Sequence, residues 1–188
     1  RGLGDVYKRQ VHVRANQLPP EGKVPHLAIP GTAGTGAETT AVAVLYEDGQ
    51  KLSVDHPALL PDGVLLDGSL LDTLPEYHRK SCAMDALAQG IESWWAKKAT
   101  PGSRIHAERA IRGVLDNLTA YMQGDRKAQD EMLHAAYESG LAILTTRTTA
   151  AHAMSYQITK KLGAAHGHAC MLTLPHLWAH LAAQAEYQ

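Results

Sequence analysis

Between residues 26 and 72 short apolar runs alternate with turn residues: HLAIP, a Gly/Thr loop, AVAVLY, an EDGQ turn, KLSV and PDGVLLD. Runs of this length, rich in Val, Leu and Ile and bounded by Gly, Pro and Asp, predict strands. This half is therefore expected to hold a sheet with at least one helix. After Leu74 and Pro75 the texture changes. Apolar positions recur at three and four, predicting helices over residues 77–97, 103–122, 127–144, 149–162 and 167–184. The breaks between them, TPGS at 100–103, QGD at 123–125 and the region of Gly163, carry helix-stop and helix-start residues. The pattern divides the chain into an α/β part over residues 11–75 and an all-helical part over residues 76–188. Residues 1–10, RGLGDVYKRQ, have no hydrophobic period and resemble a translated cloning adapter, so they are expected to contribute nothing to the fold. The final LWAHLAAQAEYQ stops inside a helical pattern with no capping residue, as a truncated helical domain would.

Composition narrows the function classes. An apolar fraction of 45% in 188 residues is enough for a core. Lys plus Arg (18) almost cancels Asp plus Glu (19), which leaves no electrostatic footprint for nucleic acid or an anionic membrane surface. Nor is there an apolar run long enough to span a bilayer. Small molecules are the expected partners. Cys82 and Cys170 lie far apart in no metal-binding spacing, which points to a reducing cytoplasm. Of the 11 histidines, His134, His152, His166, His168, His176 and His180 fall in the last third of the chain.

Three stretches could carry chemistry. IPGTAGTGAETT, residues 29–40, has glycines at 31, 34 and 36 that let backbone approach a ligand, with threonine hydroxyls and amides ahead of an expected helix start. It reads either as a phosphate or ribose cradle or as a plain turn. Ala37 stands where a P-loop needs lysine, and the GxGxxG spacing is absent. In MDALAQGIESWW, Asp85 and Gln89 share one helix face about 6 Å apart along the axis. A buried carboxylate needs a partner, and a divalent cation or a local cap would each serve. In TTRTTAAHAMSYQITKKLGAAHGHACMLTLPH, His152 and Tyr156 share a face, a stop is expected near Gly163, and His166 opens the next helix. Two histidines on consecutive helices around a tight turn can converge on zinc or iron(II). His134 and His180 read as ordinary surface or core residues.

In this order the three stretches resemble the iron-containing (group III) alcohol dehydrogenases, over residue 25 to the C-terminus. Family members are considerably longer, so the chain resembles a middle fragment, without the glycine-rich loop for the cofactor diphosphate. The resemblance implies a partial Rossmann-like dinucleotide-binding domain followed by an all-α, dehydroquinate-synthase-like metal-binding domain. It also implies NAD or NADP and a divalent metal, Fe2+ or Zn2+, bound by one Asp and three His. Asp85, His152 and His166 match the aspartate and two of the histidines, and Gln89 stands where the third is usual. Thr32, Gly34, Thr35 and Lys51 fall where the family lines its nicotinamide cofactor, although Gly31 replaces a frequent threonine. Tyr156, a further catalytic candidate, stands where many members carry another histidine near the metal. DALxQxIES with TTAxHAxSY and HGHA is most similar to the branch that includes phosphonoacetaldehyde reductases, in which Gln at position 89 is a branch feature.

The activity implied for the full-length parent is NAD(P)H-dependent reduction of a small aldehyde, with a homodimer as the compatible assembly. Gln89 would offer a neutral oxygen, harder than imidazole, giving weaker iron(II) or zinc binding; if it does not ligate, a position stays open for water or substrate. Arg147, five residues before His152 in an uncharged run, is either a bidentate anchor for an anionic substrate or a surface residue at a helix end. Competing functions are a short-chain alcohol, lactaldehyde, diol or 4-hydroxybutyrate dehydrogenase of the same family, and a non-catalytic metal-binding remnant.

Overall fold

The computed structural model of the chain describes residues 25–47 and 50–184. The adapter-like residues 1–10 and positions 48–49 of the EDGQ turn lie outside the described residues. Four strands are present: β1 (Leu27–Ala28), β2 (Val42–Glu47), β3 (Gln50–Asp55) and β4 (Gly63–Val64). β1 pairs in parallel with β4, Leu27 opposite Gly63, and β2 pairs antiparallel with β3, from Val42 opposite Asp55 to Glu47 opposite Gln50.

The helix expected in this half is not found among the described residues. Three single 3-10 turns stand there instead, Ala37–Thr39, Pro57–Leu59 and Gly68–Leu71. After the glycine loop the reason is local. The hydroxyls of Thr39 and Thr40 donate to the carbonyls of Gly36 (2.8 Å) and Ala37 (3.1 Å), so side chains bond backbone groups that a continuing helix would use. The cradle at a helix N-terminus is therefore corrected to a loop ending in one 3-10 turn.

Five helices follow: α1 (Glu76–Trp95), α2 (Pro101–Met122), α3 (Arg126–Thr146), α4 (Ala150–Leu162) and α5 (His166–Ala182). Three of them, α2, α3 and α4, begin or end where the sequence carries capping chemistry. Thr100 and Ser103 form a reciprocal capping box with Pro101 in the first turn of α2. Asp125 accepts from the Ala128 amide at the start of α3. α4 closes on Gly163 in the left-handed region, φ 69°. The change from short strands to long helices falls at Pro75, giving a part of strands and 3-10 turns followed by an all-α part.

The helices pack closely because their buried faces carry alanine and glycine. The chain has no phenylalanine, and Tyr121 is the largest fully buried side chain. Ala83, Ala86, Ala107, Ala110, Ala135 and Ala136 are all essentially inaccessible. Small side chains let helix axes approach, which brings polar groups on neighbouring helices within bonding distance.

The loop over residues 29–40 is built into this helical body. A side chain at Gly34 would put its Cβ 2.9 Å from the Cα of Cys82 on α1. One at Gly36, where φ is +57°, would lie 2.6 Å from the Ala136 carbonyl oxygen on α3. Gly31 meets nothing within 4 Å. These contacts predict that Gly36→Ala costs about 1–3 kcal/mol through overpacking, while Gly31→Ala is close to neutral. Urea unfolding of the two variants beside the parent checks the contrast.

Candidate metal centre

α1 buries Ala83, Ala86 and Ala88 in the core and, beside them, a line of polar residues. Its inward face carries Ser81, Asp85, Gln89 and Glu92, all buried. Spacings of four, four and three keep these polar groups on one side of the helix. A buried polar group without a partner is costly, and each of these finds one on a different element. Ser81 Oγ accepts from the His168 amide in the first turn of α5, 3.2 Å. Gln89 donates from Nε2 to the carbonyl of Thr35 (3.1 Å), and its Oε1 accepts from Ser139 Oγ on α3 (2.8 Å).

Glu92, with no exposed surface, makes the densest set of bonds. Oε1 accepts from the amides of Thr149 (3.1 Å) and Ala151 (2.9 Å) and from the Thr149 hydroxyl, while Oε2 accepts from His152 Nδ1. The N-terminus of α4 has no side-chain cap of its own. Glu92 supplies that function from another helix and places a negative charge at the positive end of α4. Because Nδ1 donates to Glu92, His152 turns Nε2 toward Asp85, 3.2 Å from Oδ1.

His166 is oriented by a parallel device. The hydroxyl of Ser155, one turn after His152, donates to the His152 carbonyl at 2.7 Å. Its oxygen is thereby left to accept from His166 Nδ1, 3.1 Å away. His166 Nε2 then faces Asp85 Oδ1 at 3.7 Å, and the two imidazoles meet edge to face with centroids 5.2 Å apart. This approach depends on Gly167. A Cβ there would lie 2.0 Å from the Ser81 carbonyl oxygen and 2.7 Å from the Asp85 amide. Only a glycine lets the first turn of α5 press onto α1. Tyr77 secures the same end, its hydroxyl accepting from the Ala165 amide at 2.9 Å and meeting His168 Nδ1 at 3.1 Å.

The sequence-predicted residues therefore separate into groups. Asp85, His152 and His166 come together, and Cys170, one turn beyond His166 on α5, joins them: one ligand atom from each lies within 4.8 Å of every other. Gln89 borders the cluster but has both ends engaged in holding the loop and α3. Tyr156 stacks on His166 (5.9 Å, 27° between planes) and is largely exposed. Thr35, Tyr156, His152, His166 and Arg147 line one cavity of about 340 Å³ beside the cluster. Thr32 is half-buried with its hydroxyl on the Cys82 thiol, and Gly34 serves packing against Cys82, so neither faces this cavity. Lys51 lies in β3 opposite Tyr46, and its side chain falls outside the described residues. Arg147 ends α3 with φ 62° and pairs with Asp55. It is thus a helix-end residue that also forms part of the cavity wall. His134 and His180 lie apart from the cluster, exposed as ordinary residues.

Glu92 and Cys170 escaped the sequence reading. Each had a periodic signal: Glu92 lies seven residues after Asp85 and Cys170 four after His166, so each shares a helix face with a predicted ligand.

The electrostatics suit a cation. Burial alone would depress the His152 pKa, but its bonds with Asp85, Cys170 and Glu92 outweigh this and push it up to about 12. Burial would likewise raise the carboxyl of Glu92 and the thiol of Cys170, yet the adjoining imidazoles bring both below their ordinary values. The cluster thus brings acidic and imidazole groups that balance one another around a buried point lined by oxygen, nitrogen and sulfur. These donors fit a borderline divalent ion such as Fe2+ or Zn2+, to be held by Asp85, His152 and His166 with Cys170 adjacent.

Comparison with known proteins bears on family and fold. The model of the Fe-containing alcohol dehydrogenase family, C-terminal, matches residues 80–187, and that of the iron-containing alcohol dehydrogenases matches residues 3–68. The chain is 37% identical over 167 residues to a phosphonoacetaldehyde reductase of Streptomyces viridochromogenes, covering 87% of this chain and 42% of that protein. It is 34% identical to an alcohol dehydrogenase of Thermococcus barophilus, covering 73% and 36%. Among solved structures, sulfoacetaldehyde reductase from Bifidobacterium kashiwanohense in complex with NAD+ superposes with a TM-score of 0.89 at 30% identity, covering 95% of this chain and 49% of that one. An iron-containing alcohol dehydrogenase from Thermococcus thioreducens gives 0.81 at 32% identity, covering 86% and 42%. The chain therefore spans less than half the length of these relatives.

Removing the charge that orients His152 gives a direct test. Glu92→Gln keeps the shape but weakens the bond to Nδ1, and a lost outer partner of a metal-binding histidine typically costs roughly 10–100-fold in affinity. Competition against a chromophoric chelator, with Zn2+ as the ion, is expected to show a loss in that range.

Proposed function

This chain belongs to the iron-containing alcohol dehydrogenase family, and we propose that the protein it comes from reduces a short aldehyde bearing an anionic head group to the primary alcohol, with NADH or NADPH as donor. The observation that carries this reading is the convergence of Asp85 Oδ1, His152 Nε2 and His166 Nε2 beside a cavity that also presents Thr35, Tyr156 and Arg147. When bound, a divalent cation supplies Lewis acidity toward the carbonyl oxygen and a nicotinamide supplies hydride. The remaining work belongs to the chain. Asp85, His152 and His166 hold the cation, with Glu92 and Ser155 fixing the ring orientations. Thr35, whose backbone Gln89 anchors, presents the loop edge to the cofactor side. Tyr156, whose ring stacks against His166 and lines the cavity, would donate a proton to the alcohol oxygen.

The substrate class rests on Arg147 and on two relatives. Phosphonoacetaldehyde and sulfoacetaldehyde are both two-carbon aldehydes with an oxyanion head, which a guanidinium fork can pair with bidentately. The strained backbone of Arg147, at φ 62°, is a conformation that residues other than glycine adopt at a cost. It aims the side chain into the wall of the cavity. The pairing of Arg147 with Asp55 supports a second reading, a neutral short-chain aldehyde, because the guanidinium charge is then already balanced. A cytoplasmic setting fits the free thiols of Cys82 and Cys170, and among the described residues no helix is long and apolar enough to cross a membrane.

Kinetics of the full-length protein separate these readings. Arg147→Ala is expected to raise KM for phosphonoacetaldehyde about tenfold or more, the loss of one charge-assisted pair, and to leave acetaldehyde unchanged. Equal effects on both aldehydes would support the neutral substrate. Chelator treatment is expected to abolish turnover, with Fe2+ or Zn2+ restoring it; full activity after complete metal removal would overturn the Lewis-acid reading.

A further inference from the structure

We propose that Cys170 Sγ is the fourth protein donor to the metal centre, in the role that the sequence pattern gives to position 89. The proposal rests on the metal-centre reading above and changes the ligand set it predicts. Three observations carry it. First, geometry: a tetrahedral ion with ligand bonds of about 2.0–2.3 Å holds its donors roughly 3.3–3.8 Å apart. The separations here are 3.2 Å for His152 Nε2 to Asp85 Oδ1, 3.7 Å for His166 Nε2 to Asp85 Oδ1 and 4.0 Å for Cys170 Sγ to His166 Nε2. No donor of the four is more than 4.8 Å from another. Small rotations about side-chain bonds close such a set on one ion.

Second, Cys170 lies one turn beyond His166 on α5, so both side chains leave the same face of one helix. Cys170 has no exposed surface, and Asp85 and His152 are 3% and 4% exposed. The sulfur is buried and does not line the cavity that His152, His166 and Tyr156 leave for substrate. A site with four protein donors and one open face accepts a fifth ligand by expanding its coordination.

Third, Gln89 is committed elsewhere. Its carboxamide joins Thr35 of the loop to Ser139 of α3, so both ends are satisfied without an ion. Turning it inward would break a bond to a fully buried serine hydroxyl. The exchange alters the chemistry. Two anionic donors, Asp85 and the Cys170 thiolate, balance a divalent charge that one aspartate with neutral donors leaves positive. The softer sulfur moves metal preference toward zinc.

Cobalt(II) substitution tests this without reference to turnover. Full-length protein stripped of metal and loaded with Co2+ is expected to show a thiolate-to-cobalt charge-transfer band in the near ultraviolet. The band is expected to persist in Gln89→Ala and to vanish in Cys170→Ser, which keeps the visible d–d bands of bound cobalt. Stoichiometric cobalt without that band in the parent would overturn the proposal and leave the metal centre standing. Failure to bind cobalt or zinc at all would overturn both. X-ray absorption at the zinc edge of the unaltered protein gives a second measurement that needs no variant. One sulfur at about 2.3 Å supports the assignment, and a shell of nitrogen and oxygen alone refutes it.

Discussion

The structure depends on one requirement: the carboxylates, amide and hydroxyls that α1 buries must be bonded. Carboxylates and an amide withdrawn from water cost several kcal/mol each if unmatched. On α1 the matching partners come from four other places, the loop over residues 29–40, α3, α4 and α5. The site and the scaffold are therefore the same set of bonds. Glu92 caps α4 and orients His152; Ser81 holds the first turn of α5, where His166 stands; Gln89 joins loop to helix.

Such bonding is possible only where backbones approach unusually closely, and small residues provide that. Gly167 removes the atom that would separate α5 from α1, and Gly36 and Gly140 do the same between loop and α3, where a Cβ on Gly140 would lie 2.3 Å from the Gly36 carbonyl oxygen. The glycines of IPGTAGTGAETT look like ligand contacts from sequence alone. In the fold Gly34 and Gly36 serve the helices behind them, and Thr35 between them is exposed on the cavity wall. The loop is shaped by its packing and presents one hydroxyl-bearing residue outward.

The exchange of histidine for Gln89 also takes on a different meaning. Read along the helix, the substitution changes a ligand within an otherwise constant set. Read in three dimensions, it joins the interior hydrogen-bond network, and a sulfur from α5 stands within reach of the ion position. The His152 imidazole stands between two carboxylates and a thiol, and their bonds hold its pKa up at about 12.

Sequence by itself determined most of the helical half, because four of the five helices carry their own boundary chemistry: Pro75, the Thr100 and Ser103 box, Asp125, Gly163. It also determined Asp85, His152 and His166 as a group, since spacing within each stretch and resemblance across the stretches agree. Only the tertiary structure decided the rest. The expected helix after the glycine loop was lost to threonine hydroxyls that bond back to the preceding carbonyls. Glu92 and Cys170 acquired their roles from neighbours 60 residues or fewer away in sequence but adjacent in space, Glu92 through His152 and the cap of α4, Cys170 through both imidazoles. Periodicity tells which residues share a face of one helix. It does not tell which face of another helix they meet, and a ligand set is defined by that meeting.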